Sequence, residues 1–167
     1  FQTLIDDATL TLVSSQDAKK DLLSSFRAEP EKICVYSFST HVEPDWLLLD
    51  PAQITEQLKL PEKYLMFPSQ FWKHKNHLNL LMAIKQVKRQ HSDIALVLTG
   101  SEIDFRHPKY AAQIKAQLTS PELRDQVFWL GLLGRYEQVQ VMRRAGAIIQ
   151  HSYFEGWSML VEDCRAL

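Results

Sequence analysis

From Pro61 onward the chain repeats one unit: a short apolar run followed by a segment of helical periodicity. The runs are Lys63-Tyr-Leu-Met-Phe67, Ile94-Ala-Leu-Val-Leu98, Gln126-Val-Phe-Trp-Leu130 and Ala147-Ile-Ile149. After the first, Leu78, Leu81, Met82, Ile84 and Val87 recur at helical spacing. Lys85, Lys88 and Arg89 stand near the end of that segment, where cations suit the helix dipole. Residues 108–118, 137–144 and the segment after Ser158 are the other helices. Four strand–helix units with short connections predict an α/β fold: a Rossmann-like parallel sheet with helices on both faces. Ligands of such sheets sit beyond the carboxyl ends of the strands. The residues to read for function therefore follow Phe67, Leu98, Leu130 and Gln150.

The first sixty residues are less regular. Ala8 to Val13 is rich in apolar and β-branched residues and reads as a strand. Ser14-Ser15 reads as a cap for a helix over Gln16 to Phe26, Lys32 to Tyr36 as a second strand, and Ser37 to Pro44 as irregular. The chain starts at Phe1 and stops at Leu167 inside a helical pattern, so it is expected to be a piece cut at both ends. A net charge of −1 argues against an electrostatic nucleic-acid binder. No apolar run has the length to span a bilayer. Cys34 and Cys164 are far apart without metal-type spacing, which predicts a reduced, cytoplasmic setting.

Chemistry-bearing residues cluster at the strand ends. Phe67-Pro-Ser-Gln-Phe-Trp-Lys-His-Lys-Asn-His77 packs two lysines and two histidines between a strand and a helix. Ammonium charge with imidazole and amide donors suits a phosphate, although a solvated loop has the same composition. His74 and His77 have an i,i+3 spacing that metals use, but no Cys or carboxylate joins them locally, so no metal site is expected. Glycine turns follow two strands, at Thr99-Gly100-Ser101 and Leu130-Gly131-Leu132. His151 and Ser152 follow the fourth. Trp72, Trp129 and Met142 read as packing residues.

The stretch Phe154-Glu155-Gly156-Trp157-Ser158-Met159-Leu160-Val161-Glu162-Asp163 is the most specific. Ser158 is placed to cap the last helix, whose free N–H groups and dipole suit an anion. Glu155 lies in the loop and Asp163 in the helix, so the two acids can flank a ligand over the helix start. Read without a family, they are equally ordinary cap and surface acids.

This stretch resembles the E-x7-E segment of the family 4 (GT4) glycosyltransferases, which have the two-domain GT-B fold. In register, Glu155 takes the place of the first Glu, Gly156 of its glycine, Trp157 of the aromatic and Asp163 of the second Glu. Glu162 is an alternative second acid one position earlier. Aligned through the following helix, Lys75 falls on the family's phosphate-binding Lys, Asn76 on its glycine and Gln70 on its Arg, with Lys73 able to replace the missing charge. The resemblance implies the carboxy-terminal, nucleotide-sugar-binding half of a GT-B enzyme. Residues 1–45 would end an acceptor-side domain, 46–60 would be a linker and 61–167 the donor-binding domain.

The reaction implied is transfer of a sugar from a nucleoside diphosphate sugar to an acceptor hydroxyl with retention. Lys75 and Glu155 would be the catalytic pair. Gln70, Lys73, Gly100, Leu130, Gly131, His151, Gly156, Trp157, Ser158, Met159, Glu162 and Asp163 would surround the donor. No metal or cofactor is expected, because side-chain cations and a helix dipole neutralise the leaving group. The implied partners are the nucleotide-sugar donor and a sugar, lipid or polysaccharide acceptor. The implied location is cytoplasmic, extending to the inner face of a membrane through the acceptor-side domain. A sugar-nucleotide epimerase, and a nucleotide-sugar or partner-binding module without chemistry, are the readings left open beside it.

Overall fold

The computed structural model describes residues 1–167. The amino-terminal part holds α1 (Gln2–Asp7), β1 (Thr11–Val13), α2 (Gln16–Ser25) and β2 (Ile33–Val35). Ser15 caps α2 by accepting the N–H of Ala18 at 3.0 Å. β1 and β2 pair in parallel as a separate two-stranded sheet. Two short helices follow, α3 (Pro44–Leu48) and α4 (Ala52–Gln57). The repeating units are then β3 (Tyr64–Pro68) with α5 (His77–Lys88), β4 (Ala95–Thr99) with α6 (Tyr110–Leu118), β5 (Val127–Gly131) with α7 (Arg135–Arg144), and β6 (Ala147–Ile148) with α8 (Met159–Ala166).

The large sheet is parallel throughout, in the order β5-β4-β3-β6. The period-two alternation of its strands sorts side chains into two cores. Phe67, Leu96 and Leu98 face α5 and α6, where Leu81, Ile84 and Ile114 meet them. Tyr64, Met66, Ala95 and Val97 face α7 and α8, through Val141, Met142 and Leu160. β4 is buried along its whole length, as a central strand covered on both faces must be. The chain steps outward from β3 to β5 and then returns to lay β6 on the other side of β3. The reversal opens a crevice between the loops that leave β3 and β6.

The expected α/β class and all four strand–helix units are present. Three local readings change. The first strand is only Thr11–Val13, because Ala8 to Leu10 have no ladder partner. Gln2–Asp7 forms a helix that the sequence pattern did not suggest. The stretch read as a linker contains α3 and α4. Pro44 stands in the first turn of α3 and Pro51 caps α4, a start signal that prolines give and that short length obscures. Ile54 and Leu58 pack against the second core, so this stretch is fastened to the large sheet. Arg143 on α7 donates to the carbonyls of Trp46 (3.0 Å), Leu47 (2.9 Å) and Leu49 (2.8 Å), which satisfies the open end of α3.

His77 is fully buried at the start of α5, stacked on Phe71 (4.6 Å between ring centroids) and beside Phe67 (4.8 Å). Neither ring nitrogen has a hydrogen-bond partner. Burial, helped by the nearby His151 and Lys75, lowers its pKa from 6.5 to about 3. The folded state therefore holds the neutral ring while the unfolded chain takes up a proton below its ordinary value. Its contribution is complete above pH 6.5 and falls as the pH drops toward 3, by about 1.4 kcal/mol per unit. Urea unfolding at pH 7 and pH 5 should show this loss, and His77→Leu should reduce the pH dependence by about one proton.

Candidate functional site

Three loops meet at the carboxyl edge of the sheet, and backbone contacts zip them together. Ser69 N–H donates to Thr99 O (2.9 Å), Phe71 N–H to Ser101 O (3.0 Å) and Gly100 N–H to Gly131 O (2.8 Å). Gln70 accepts the N–H of Ser101 through Oε1 at 2.9 Å. Gly100 adopts φ +138°, and a Cβ there would lie 2.2 Å from the carbonyl oxygen of Ser69. Only glycine lets the second loop come this close to the first.

The loop after β3 ends in a 3-10 turn over Lys73–Lys75, and Asn76 closes it at φ 66°. Asparagine tolerates this left-handed conformation better than other side-chain-bearing residues. Across the crevice, the loop after β6 brings Glu155 to Lys75, with Nζ and Oε1 2.5 Å apart. Both side chains are mostly buried, 16% and 24% exposed. Gln150 donates to the same Oε1 at 2.8 Å and accepts from Ser158 Oγ at 3.2 Å. Burial of Glu155 raises the carboxyl pKa, but the bonds from Lys75, Ser152 and Gln150 outweigh it and hold the group below the usual range. The acid therefore stays ionised at neutral pH. The two loops are also clasped by Tyr153 N–H to His74 O (2.8 Å) and by His151 Nε2 with Asn76 O (3.0 Å).

Ser158 caps α8, its hydroxyl accepting the N–H of Val161 at 3.2 Å. The N–H groups of Met159 and Leu160 lie in the first turn, without an acceptor inside the helix. A crevice of about 320 Å³ runs between this helix start and the β3 loop. Of the sequence-selected residues, Gln70, Lys75, Gly100, Glu155, Trp157, Ser158 and Met159 line it. Ser69, Thr99, Leu132, Gln138 and Gln150 line it too and were not singled out from sequence. Their signal was position alone, since each stands on a strand, loop or helix at the carboxyl edge. Trp72, read as a packing residue, also reaches the lining.

The remaining selected residues lie elsewhere. Lys73 faces a separate cavity, because residues two apart in a turn of three residues per turn point to different sides. Leu130 packs into the second core, and the carbonyl of Gly131 is taken by Gly100. His151 packs edge-on against Phe67 at 4.8 Å. Gly156 turns its carbonyl toward Ser14 Oγ, 3.4 Å away. Asp163 is buried and held by both terminal nitrogens of Arg135, at 2.7 and 2.8 Å. The same guanidinium donates to Thr40 Oγ1 at 3.0 Å, joining α7, α8 and the segment after β2. Glu162 is buried beside Arg165, 3.3 Å away on its own helix. Neither of the two later acids lines the crevice with Lys75 and Glu155.

A crevice at the reversal of a parallel sheet, with a largely buried cation and an open helix start, is the arrangement of a Rossmann-like domain. The model of the family Glycosyl transferases group 1 matches residues 52–162, and the chain belongs to that family. The structure is similar to Alr3699/HepE of Anabaena in complex with UDP and glucose, with a TM-score of 0.78 and 18% identity over 98% of this chain and 44% of that one. It is similar to sucrose-phosphate synthase from Thermosynechococcus elongatus, with a TM-score of 0.77 and 20% identity over 99% and 40%. A glycosyltransferase from Rickettsia africae matches with a TM-score of 0.71 and 22% identity over 86% and 38%. These likenesses establish the fold as that of the carboxy-terminal half of GT-B glycosyltransferases. The chain spans less than half the length of each of these proteins. No curated protein matches the sequence.

Two glycines separate the contributions of close approach and of backbone conformation. Gly100→Ala should cost about 3 kcal/mol or more, since the methyl group collides with a carbonyl that two loops hold in place. Gly131→Ala, at φ 69° with nothing within 4 Å, should cost only about 1 kcal/mol. Denaturant midpoints of the two variants check the difference.

Proposed function

We propose that this chain is the donor-binding part of a retaining, GT4-like hexosyltransferase that moves a sugar from a nucleoside diphosphate sugar to an acceptor hydroxyl. The observation that carries the reading is the meeting of Lys75 and Glu155 across the crevice, beside the open start of α8. Membership of the family Glycosyl transferases group 1 supports a nucleotide sugar as the donor. Alr3699/HepE, of similar fold, holds UDP and glucose.

In this reading a diphosphate enters between Lys75 and the first turn of α8. The ammonium group leaves Glu155 for the phosphate and takes the charge that develops as the sugar–phosphate bond breaks. The N–H groups of Met159 and Leu160 add the helix dipole at the same point. Glu155, released from Lys75, accepts hydrogen bonds from hydroxyls of the donor sugar. Asp163, held by Arg135 outside the crevice, is assigned no donor contact. Charge neutralisation is assigned to Lys75 and α8, and no metal is required. Residues 1–45 are taken as the end of the acceptor-side domain, which would supply the acceptor contacts. The acceptor class is a sugar, lipid or polysaccharide, and the setting is the cytoplasm or the inner face of a membrane.

In the full-length protein, Lys75→Ala and Glu155→Ala should each reduce sugar transfer by a hundredfold or more, about 2.7 kcal/mol of transition-state stabilisation. Proton NMR of the early product should show the donor's anomeric configuration. Variants that retain transfer within a few-fold would leave the module without chemistry as the better reading. An inverted product would reject retention alone.

A further inference from the structure

The 3-10 turn that aims Lys75 into the crevice aims Lys73 to its other side. There a second cavity of about 290 Å³ is lined by Lys73, His74, Asp104, Arg106, His107 and Tyr153. Its walls come from the loops after β3, β4 and β6, so the sheet edge holds it in place. Arg106 is loosely paired, with Nε 3.4 Å from Asp104 Oδ1, and its guanidinium lies 5.2 Å from the ring of Trp72 and 5.9 Å from that of Phe105. The two rings orient the guanidinium and leave its terminal nitrogens uncommitted. Lys73, His74 and His107 share the lining with Arg106.

Asp104 is the one acid in the lining, 3% exposed. Its Oδ1 accepts the N–H of Arg106 at 3.0 Å, while Oδ2 is buried without a partner. Asp104 therefore serves to hold the loop backbone and Arg106 in place. Two cations and two imidazoles ask for a compact anion. A phosphomonoester supplies such an anion.

We infer that this cavity is a second anion site, for a phosphomonoester, separated from the nucleotide crevice by the Trp72–Lys75 turn. Trp72 forms part of the crevice lining on one side and lies under Arg106 on the other. A phosphate held by Arg106 and Lys73 therefore rests against the wall that positions Lys75. Ile103 and Phe105, flanking Asp104, are 76% and 84% exposed at the rim. A soluble phosphomonoester and a lipid headgroup share the chemistry, and the rim would meet the acyl region only in the second case.

The test is NMR of the His74 and His107 ring signals during titration with glycerol 3-phosphate. Beside it runs co-sedimentation with phosphatidylcholine vesicles, with and without phosphatidic acid. Saturable shifts are expected in the unaltered protein and in Lys75→Ala, with binding at least tenfold weaker in Arg106→Gln. Lys73→Gln, a change at an exposed position, gives the same reading if Arg106→Gln fails to fold. Binding only to vesicles that contain phosphatidic acid, lost in the same variants, would support the site with a lipid headgroup as its source. Shifts that vanish in Lys75→Ala and persist in Arg106→Gln would place the phosphate in the nucleotide crevice and overturn the inference. So would the absence of saturable binding to both probes.

Discussion

Everything at the functional edge depends on where β6 lies. The chain builds β3, β4 and β5 outward in one direction, then returns to pair β6 with the free side of β3. That reversal sends the loops after β3 and β6 apart and leaves space over the start of α8. It also sets Lys75 and Glu155, eighty positions apart in the chain, within hydrogen-bond distance. Had β6 continued the sheet beyond β5, the two groups would stand at opposite ends of it.

The Lys75–Glu155 pair has a cost that the crevice explains. Two charges taken largely out of water gain little net stability, because desolvation offsets their attraction. Here the acid is supported by Gln150, and Gln150 by Ser158, so the pair belongs to a network that runs from the β3 loop to the helix start. Such a network keeps the cation poised and the carboxylate ionised. In the proposed reading a diphosphate would replace the carboxylate as the partner of Lys75, and the released acid would accept from sugar hydroxyls. Arg135 and Asp163 form a comparable pair behind the crevice, tied to Thr40, and connect the segment before α3 to the same edge.

Much of this was legible in the sequence. The apolar runs and helical spacing gave the four units, and the rule that ligands gather at strand ends selected the loops that meet. Asn76 was legible through its alignment with a glycine and proves to be in a left-handed conformation. Other features were not legible, for physical reasons. Lys73 and Lys75 look equivalent as letters, and only the tight turn sends them to different cavities. Asp163 looks like a free acid until Arg135, from another helix, is seen to hold it. Gln70 stands where a cation was expected and is engaged in joining two loops. The polar lining residues Ser69, Gln138 and Gln150 are of types common on any surface. α3 and α4 are too short for periodicity to show, and only their prolines marked them.

The most direct test of the account is calorimetry of UDP, GDP and ADP binding to the protein in the presence of EDTA. The account predicts metal-free binding of one of these diphosphates in the micromolar range, about −8 kcal/mol, abolished in Lys75→Ala. Absence of binding by a folded protein, or binding unchanged by Lys75→Ala, would contradict the assignment of the crevice to a donor diphosphate.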